Sequence, residues 1–417
     1  MVTARSDHAD HADHADDAVV IVGAGVVGAA VAYHLADLGH SRVCVYDARL
    51  RDGLPGSAGL APGFVGQLSA TPELSVLAVD SVATYLELAK DAPEPIFRQV
   101  GCLEVATSPT RLEQSHRDVA YGLQLGIEAT VLDPEATVAL APDLVAPENV
   151  LGGLHIPSDG AAEPVALVEA LVAAAEARGA RFHWGTPVRA LETDGSGGRV
   201  TGIRTETGTV PAGQVVLAAG IWGPALAAEA GLRLPMIAVQ HPYVFTAERP
   251  ELDDVPDTAP IVRYPDETVY TRRHGRRYGL GSYAHDPLPT APGQTLASAE
   301  LPFHERDFGA AVEAATALVP AFRGARLERR LNGVFALTPD ELPFVGPAPG
   351  LPGLWIAEAS WITHAAGVAR QLAHQLLGLD NLTVDPARLS PDRFRDWSDT
   401  RAREAALHHY RGIYDAH

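Results

Sequence analysis

The 417-residue sequence predicts an α/β fold of two domains, in which a layer built from βαβ units is interrupted by an antiparallel sheet. The first observation behind this prediction is a βαβ pattern near the start of the chain. An apolar run at 19–22 reads as a strand, a glycine-rich turn follows, residues 26–38 have helical periodicity, and 43–46 form a second apolar run. This order of elements is typical of parallel strands.

The second observation is that the same layer returns after an insertion. Residues 164–178 have helical periodicity, and 214–220 read as a buried strand that runs into a glycine turn. A strand at 354–357 and a helix over 364–377 complete the layer. By contrast, residues 235–330 alternate in short β-like runs broken by proline, aspartate and glycine, which is typical of an antiparallel sheet.

The composition excludes several classes of protein. With 52 acidic against 32 basic residues and a formal net charge of −20, the chain repels both nucleic-acid phosphates and anionic membrane surfaces. Only two cysteines are present, Cys44 and Cys102, and neither belongs to a CxxC pair, so neither a disulfide framework nor a metal site is expected. We therefore expect a protein that binds no nucleic acid, no membrane and no metal.

The N-terminal segment predicts neither export nor membrane insertion. The longest uncharged stretch, residues 18–33, is shorter than a membrane span, and it follows aspartates where a signal peptide would carry positive charge. Residues 1–17 hold three His-Ala-Asp triplets and no apolar residue larger than alanine after Val2, so we expect a disordered tail. These features favour a cytoplasmic protein.

A glycine fingerprint occupies the turn of the first βαβ unit. Gly23, Gly25 and Gly28 have the spacing GxGxxG, in which the first glycine makes the turn, the second lets the backbone approach a pyrophosphate, and the third lets the helix pack closely. Asp47 stands at the end of the second strand, where its carboxylate can accept hydrogen bonds from ribose hydroxyls. The pattern predicts a dinucleotide site but does not distinguish FAD from NAD.

A second glycine-rich loop distinguishes FAD from NAD. Residues 56–63, GSAGLAPG, resemble the loop that covers the isoalloxazine ring in the glycine/sarcosine/D-amino-acid oxidase superfamily, and the resemblance is closest to the flavin portion of dimethylglycine oxidases and dehydrogenases. The resemblance continues in order along nearly the whole chain, at 101–106, 149–160, 219–223, 279–285, 332–340 and 357–367. It implies that the bound dinucleotide is FAD.

The resemblance also implies how the chain is divided. A discontinuous Rossmann-like FAD domain would be formed by residues 18–95, 155–232 and 331–380, and a substrate domain with an antiparallel sheet by residues 96–154 and 233–330. Residues 381–417 would form a C-terminal extension. The substrate domain would then cover the reactive face of the flavin.

The matching motifs assign a set of residues to the FAD site. In addition to Gly23, Gly25, Gly28 and Asp47, the set comprises Ser57, Ala58, Gly59, Leu60, Ala61, Val188, Ala219, Gly220, Trp222, Gly333, Trp361, Ile362, Thr363 and His364. The backbone N–H groups that begin the last helix would face the pyrimidine edge of the flavin, where reduction places negative charge. Related enzymes carry a histidine that tethers the flavin at the position of Leu60; leucine offers no nucleophile, so FAD is expected to be non-covalent.

His241 and Tyr270 are the candidate catalytic residues. They match the histidine and tyrosine beside the flavin in the dimethylglycine oxidase family, where a neutral imidazole is suited to take an ammonium proton and a phenol can hold the amine in line with flavin N5. From spacing alone, a histidine and a tyrosine that fill space on a β-face are the commoner explanation. His274 and His285 are assigned to surface or loop positions, and Arg272 with its neighbouring arginines to a solvated hairpin.

Together these features predict FAD-dependent oxidation of a small secondary or tertiary (N-methyl) amine or amino acid by hydride transfer to flavin N5. The iminium product would be hydrolysed, which completes a demethylation, or cyclised by an internal nucleophile. Oxygen is the expected electron acceptor by resemblance, although the only lysine, Lys90, lies outside the matching motifs and does not match the oxygen-activating lysine of sarcosine oxidases. An electron-transfer protein is the alternative acceptor.

Two other functions stay open. One is an amino-acid or imino-acid oxidase or dehydrogenase, which cyclic substrates such as proline would reveal. The other is a flavin subunit that needs a partner protein for turnover, because bifunctional relatives continue into a folate-binding region and this sequence stops at His417. Both alternatives still require bound FAD.

Overall fold

The computed structural model describes residues 17–195, 198–291 and 296–414. The predicted tail, with its His-Ala-Asp triplets, lies outside this part of the chain apart from Asp17. Within the described residues, the strands in chain order are β1 (Val19–Val22), β2 (Val43–Tyr46), β3 (Phe64–Val65), β4 (Phe97–Arg98), β5 (Cys102–Ala106), β6 (Thr130–Leu132), β7 (Gly152–Ile156), β8 (Gly160–Ala162), β9 (Arg181–His183), β10 (Val188–Thr193), β11 (Val200–Thr205), β12 (Gly208–Pro211), β13 (Gln214–Leu217), β14 (Ile237–Thr246), β15 (Ile261–Tyr264), β16 (Val269–His274), β17 (Arg277–Ser282), β18 (Leu288–Pro289), β19 (Glu300–Leu301), β20 (Leu327–Leu337), β21 (Phe344–Pro347) and β22 (Leu354–Glu358).

The α-helices of the described residues are α1 (Val26–Asp37), α2 (Pro72–Ala89), α3 (Pro109–Gln124), α4 (Pro134–Leu140), α5 (Pro164–Ala177), α6 (Gly223–Glu229), α7 (Glu305–Leu318), α8 (Ala365–Leu376), α9 (Pro386–Leu389) and α10 (Asp399–Arg411). The three helices predicted from the sequence, α1, α5 and α8, are confirmed to within one residue at each end. Among the helices in the described ranges, none combines the length and the apolar character needed to cross a bilayer.

A six-stranded sheet forms one half of the fold. Its order is β21-β22-β13-β1-β2-β9, and its neighbours are parallel apart from β21 and β22. On the central strand β1, Val19 and Ile21 pack against helices α1, α2, α5 and α8. Val20 and Val22 point to the opposite face, where they join a second cluster with residues of β10, β11 and α6. Burial on both faces explains the uninterrupted apolar run of β1.

A ten-stranded sheet forms the other half. Its order is β19-β20-β14-β17-β16-β15-β5-β7-β6, with β18 paired to β14. Its neighbours are antiparallel except for the parallel pair of β5 and β15. The α/β fold class with a second, antiparallel sheet is therefore confirmed. The sheet also includes β5, β6 and β7, which lie before residues 235–330, the segment in which the sequence pattern predicted an antiparallel sheet.

Two of the predicted domain boundaries fall inside strands. The boundary between 154 and 155 divides β7, and the boundary between 330 and 331 divides β20. Both strands pair within the ten-stranded sheet on either side of these points. We therefore propose that these two boundaries lie at the ends of the strands, after residues 156 and 337, and the division into domains as a whole stays a proposal.

Candidate active site

A cavity of about 1170 Å³ is lined by residues of both large sheets. From the six-stranded sheet, Val22 and Tyr46 contribute to its wall, and from the ten-stranded sheet His241, Tyr270 and Leu331 do so. The volume exceeds that of a typical drug-sized ligand site, which suits a dinucleotide with a substrate beside it. Eighteen of the twenty predicted site residues line this cavity, and the two exceptions are Gly28 and Gly59.

The glycines of the fingerprint have different roles in the structure. Gly23 has φ of +102°, a conformation that side chains rarely adopt. A Cβ atom on Gly28 would collide with the carbonyl oxygen of Gly23, so Gly28 serves the close packing of α1 and does not line the cavity. A Cβ atom on Gly25 would meet nothing nearer than the Pro55 carbonyl oxygen at 4.0 Å. Gly25 therefore leaves the start of α1 open to the cavity, where an anion can approach backbone N–H groups.

Asp47 is held rigidly at the end of β2. One carboxylate oxygen accepts a hydrogen bond from the backbone N–H of Ala24 at 2.6 Å, and the other accepts one from the backbone N–H of Arg49 at 2.7 Å. The carboxylate lines the cavity near the fingerprint turn. Its remaining lone pairs can accept from the hydroxyls of a ribose.

The predicted flavin loop forms a 3₁₀ turn over Gly56–Leu60. Ser57 Oγ is buried and has no hydrogen-bond partner in the described part of the chain, although Ser57 lines the cavity. Gly59 packs against Pro55 instead and is not part of the lining. On the facing strand β20, a Cβ atom on Gly333 would lie 3.7 Å from Leu60 Cβ. The turn thus presents an unsatisfied hydroxyl and an apolar side chain to the cavity.

The segment before α8 forms another part of the wall. Trp361 donates from Nε1 to the Ala336 carbonyl oxygen at 3.1 Å, and Thr363 Oγ1 donates to the Phe64 carbonyl oxygen at 3.0 Å. Burial lowers the pKa of His364 to about 4, so its imidazole is neutral. The other predicted residues on this wall and its neighbours are Val188, Ala219, Gly220, Trp222 and Ile362.

Glu358, at the end of β22, was missed by the sequence analysis. One oxygen of its carboxyl group accepts from the Ala219 backbone N–H at 2.7 Å, and the other is buried without a partner among the described residues. Burial raises the pKa of this carboxyl group well above its usual value. An acidic residue at the end of an otherwise apolar strand was the signal in the sequence. A protonated Glu358 can donate a hydrogen bond to a group in the cavity.

His241 and Tyr270 lie on strands that are not neighbours, because β17 runs between β14 and β16. Gly281 of β17 pairs with Tyr270, and a Cβ atom on Gly281 would collide with the Tyr270 ring. The glycine lets the ring cross β17, so that Tyr270 Oη reaches 3.0 Å from His241 Nε2. Both side chains are 7% exposed and line the cavity. The structure therefore brings the two candidate catalytic residues into direct contact.

Burial sets the protonation of this pair. Burial, followed by the nearby His285, lowers the pKa of His241 well below its usual value, and burial raises the pKa of Tyr270. At neutral pH the imidazole is uncharged and the phenol keeps its proton. The pair can accept a proton from a bound group only if the pKa of that group in the cavity is lower than the pKa of the protonated pair, or if the proton is passed on to a further acceptor.

The predicted surface or loop position is confirmed for His285, which lies in the loop after β17 with Nε2 3.0 Å from Tyr410 Oη. It is wrong for His274, which is largely buried at the end of β16 with Nε2 2.9 Å from Tyr243 Oη. Arg272 is only 2% exposed, so its part of the hairpin is not solvated. The reason is that β16 is packed on both faces inside the ten-stranded sheet.

Arg263 on β15 is a further polar residue of the cavity that the motifs did not identify. It forms an ion pair with Glu104 of β5, and its guanidinium lies 4.5 Å from the centre of the Tyr414 ring and 5.3 Å from that of Phe64. Arg263 Nε is buried without a hydrogen-bond partner among the residues that the structure describes. This N–H can bind an anionic group of a ligand.

The donor and acceptor groups of the cavity fit FAD. Gly25 leaves room for a pyrophosphate, and Asp47 offers acceptors for ribose hydroxyls. Ser57 Oγ and the free oxygen of Glu358 are buried polar atoms that still need partners, which the polar groups of a flavin nucleotide can supply. A bound dinucleotide would therefore supply the hydrogen-bond partners that these atoms lack among the described residues.

Comparisons with known proteins agree with this fit. The family described as FAD dependent oxidoreductase (DAO) matches residues 18–375 of the chain. The mitochondrial dimethylglycine dehydrogenase of Mus musculus is 29% identical over 401 residues, which cover 93% of this chain and 45% of that protein. The 4-methylaminobutanoate oxidase (formaldehyde-forming) of Paenarthrobacter nicotinovorans is 29% identical over 384 residues, which cover 89% of this chain and 45% of that protein. The chain thus spans about half the length of these relatives.

A solved structure extends the comparison to the fold. L-proline dehydrogenase from P. horikoshii has a TM-score of 0.79 and 22% sequence identity, and the match covers 91% of this chain and 98% of that one. At this identity the likeness shows a shared fold. The family match over most of the sequence confirms the predicted superfamily and cofactor: the chain belongs to the FAD dependent oxidoreductase (DAO) family and binds FAD.

Proposed function

We propose that this chain oxidises the carbon-nitrogen bond of a small secondary or tertiary amine, with an N-methyl amino acid as the preferred substrate class. The observation that carries the proposal is the contact between Tyr270 and His241 in the wall of the FAD cavity. Bound FAD supplies the hydride acceptor for the carbon next to nitrogen. An amine releases that hydride only when its lone pair is free, so the ammonium form must first lose a proton.

Residues of the chain remove the proton, bind the substrate and exclude water. Tyr270 Oη, hydrogen-bonded to the neutral His241, takes the ammonium proton and orients the nitrogen. Arg263 Nε binds the carboxylate of an amino-acid substrate, while Glu104 keeps the guanidinium in place. The ring of Tyr283, 4.2 Å from that of His241, helps to keep water from the reacting atoms. The site therefore suits an amine that also carries a carboxylate.

The iminium product is then hydrolysed to an aldehyde and a shortened amine, or it is cyclised by an internal nucleophile. The name of one relative, a formaldehyde-forming oxidase of a methylamino acid, supports hydrolysis of an N-methyl group. We propose oxygen as the electron acceptor, with an electron-transfer protein as the alternative. Lys90 lies at the exposed end of α2 in an ion pair with Glu87, so it has no place in either route.

Two other functions compete with this proposal. Oxidation of an amino or imino acid with a free N–H would use the same pair of residues and the same arginine. The second alternative is a flavin subunit that needs a partner protein for turnover. The partner-dependent subunit would bind FAD but stay oxidised with every amine.

The test is anaerobic mixing of the purified, FAD-loaded protein with a panel of amines, while the visible absorbance of the flavin is followed. The panel contains N,N-dimethylglycine, sarcosine, bulkier N-methyl amines and proline. Bleaching by an N-methyl amine is the expected result. Bleaching by proline alone would support the imino-acid alternative, and an unchanged spectrum with every amine would contradict amine oxidation by the isolated chain.

We expect FAD to be released when the protein is precipitated with acid. Leu60 stands where related enzymes carry the tethering histidine, and a leucine side chain cannot form a bond to the flavin. The measurement is the absorbance of the supernatant and of the washed pellet near the flavin maximum. Yellow colour that stays with the pellet would mean that another residue carries a covalent link.

Replacing Arg263 by lysine is expected to raise the KM for carboxylate-bearing amines by about 10-fold, the cost of one charge-assisted hydrogen bond, with kcat nearly unchanged. Lysine keeps the positive charge beside Glu104 but loses the Nε donor. The measurement is steady-state kinetics with N,N-dimethylglycine and, as the control, with an N-methyl amine that has no carboxylate. An equal change for both amines would argue against carboxylate binding by Arg263.

A further inference from the structure

A line of four side chains runs from the cavity to the surface. Tyr270 Oη lies 3.0 Å from His241 Nε2, and His241 Nδ1 lies 2.9 Å from Tyr410 Oη. Tyr410 Oη lies in turn 3.0 Å from His285 Nε2. Tyr410 is only 1% exposed, whereas His285 is half-buried and its bond to Asp286 is exposed. The line therefore joins the cavity to solvent.

The outermost group fixes the direction of every hydrogen bond in the line. His285 Nδ1 lies 2.8 Å from the Asp286 carbonyl oxygen, which can only accept, so the neutral ring carries its proton on Nδ1 and accepts on Nε2. Tyr410 then donates to His285 and accepts from His241 Nδ1. With its proton on Nδ1, His241 accepts on Nε2 from Tyr270. The lone pairs of the Tyr270 oxygen are left free to receive a proton from the cavity.

We propose that Tyr410 and His285 extend the pair of Tyr270 and His241 into a proton relay, which carries the ammonium proton of the substrate from the cavity to solvent. The relay rests on the amine oxidation proposed above. The ammonium proton moves to Tyr270 Oη, and the proton of that hydroxyl moves to His241 Nε2. His241 passes its Nδ1 proton to Tyr410, which passes its own to His285 Nε2.

The steps balance in protons and charge. His285 briefly carries two protons, and the one on Nδ1 leaves to water. No bond to carbon changes and no electron moves along the line, so the relay needs no oxidant of its own. Oxygen, the proposed acceptor, needs one further proton from the cavity for each hydrogen peroxide that forms, and a proton that moves inward along the same bonds to supply it restores the starting direction for the next turnover.

The inner part of the line is suited to passing a proton rather than keeping it. The titratable groups that face His241 are Tyr270, Tyr283, Tyr410 and His285, and none of them carries a negative charge at neutral pH. Burial and the neighbouring His285 lower the pKa of His241, so an imidazolium there is unfavourable. A second acceptor for the Tyr410 hydroxyl, the carbonyl oxygen of Gln240, is farther away at 3.3 Å.

The outer end is more favourable for positive charge. Burial lowers the pKa of His285, but its bond to the Asp286 carbonyl and the charges of Asp286 and Asp307 oppose that effect. Arg411 lies 4.0 Å from the Asp286 carboxylate. Its positive charge offsets the effect of Asp286 on His285 only in part, because Asp286 is largely exposed. The ring of Phe308 packs edge-on against His285 and adds no charge. A proton is therefore better tolerated at His285 than at His241.

The direction of the hydrogen bonds can be tested without any substrate. FAD-loaded protein labelled with ¹⁵N-histidine is examined by NMR, and the two rings are assigned by loss of their signals in His241→Gln and His285→Gln. We expect both rings to be neutral with the proton on Nδ1. A His241 ring protonated on Nε2 would overturn the relay, whatever the substrate of the enzyme proves to be.

The transfer itself is tested by the rate of flavin reduction under anaerobic conditions in H₂O and D₂O mixtures. Tyr410→Phe keeps the ring but breaks the line, and we expect it to slow reduction by about 10-fold. His285→Gln is expected to slow it to a similar degree. Because both act on one line, the double variant should be no slower than Tyr410→Phe alone. The dependence on deuterium content should be curved in the unaltered protein and linear in Tyr410→Phe.

The matched control is Tyr264→Phe, which also removes a buried hydroxyl. Tyr264, the last residue of β15, lies in a core cluster outside the cavity lining, and its Oη donates to the Leu144 carbonyl oxygen at 2.8 Å, so this variant should reduce flavin at the normal rate. Normal rates for Tyr410→Phe, or losses that add in the double variant, would overturn the relay. If no amine reduces the unaltered protein, the proposed function fails, and the NMR result alone decides the relay.

Discussion

Replacing His241 by glutamine is expected to slow anaerobic flavin reduction by about 10²- to 10⁴-fold, the usual contribution of a general base, while FAD stays bound. The glutamine side-chain oxygen can still accept a hydrogen bond from Tyr270, so the wall of the cavity keeps its shape. What is lost is an imidazole that can take a proton on one nitrogen and give one from the other. The measurement is stopped-flow absorbance with a saturating amine.

The pH dependence of this variant tests the reason for the loss. A free amine needs no base, so the defect should shrink as the pH rises towards the pKa of the substrate amine. The control is His155→Gln on β7, where a half-buried histidine lies outside the cavity lining. A defect that is the same at every pH would mean that His241 does not take part in proton removal.

The FAD side of the site could be predicted because its residues are close together in sequence. The strand β1, the glycine turn, helix α1 and Asp47 form one local unit, and each step has a recognisable residue pattern. The same holds for the turn over Gly56–Leu60. In such segments the spacing of residues along the chain determines their spacing in the structure, which is why both strands and the helix end close to the predicted positions.

The substrate side could be predicted only in part, because its contacts join distant segments. His241 and Tyr270 were identified by resemblance, but nothing in their spacing showed that Gly281 lets one ring reach the other. Tyr410 lies in the segment that was treated as an extension, and it bonds to a histidine 125 residues earlier. Pairings of this kind depend on the order of strands in the sheet, which local patterns do not encode.

The buried arginines show the same limit of local patterns. Several arginines around a glycine turn resemble a solvated hairpin, and Arg276 is indeed exposed. Arg273 is only 6% exposed, because its guanidinium donates to the carbonyl oxygens of Leu252, Pro256 and Gly275. A loop folded over the hairpin supplies these acceptors, and the sequence gives no sign that it does so. Burial of a charged side chain follows from such partners and not from the residues beside it.

Two substitutions in the glycine fingerprint should separate cofactor binding from folding. Gly25→Ala is expected to weaken FAD binding by roughly 100-fold, the cost of one or two lost hydrogen bonds to a charged phosphate, with little change in stability. Gly25 has φ of −69° and ψ of −174°, which alanine adopts without strain, and the added methyl group meets no protein atom closer than 4.0 Å. The methyl group instead fills the space through which a pyrophosphate approaches α1.

Gly28→Ala acts on the fold instead. Its methyl group would collide with the backbone oxygen of Gly23, and neither backbone segment can move without separating α1 from the turn. We expect the apparent melting temperature of the FAD-free protein to fall by roughly 10 °C, as for an overpacked core site, with FAD binding lost as a consequence. Circular dichroism melts and titration of FAD fluorescence measure the two effects. Because Gly25 lines the cavity and Gly28 does not, unfolding of Gly25→Ala or normal FAD binding by Gly28→Ala would contradict these roles.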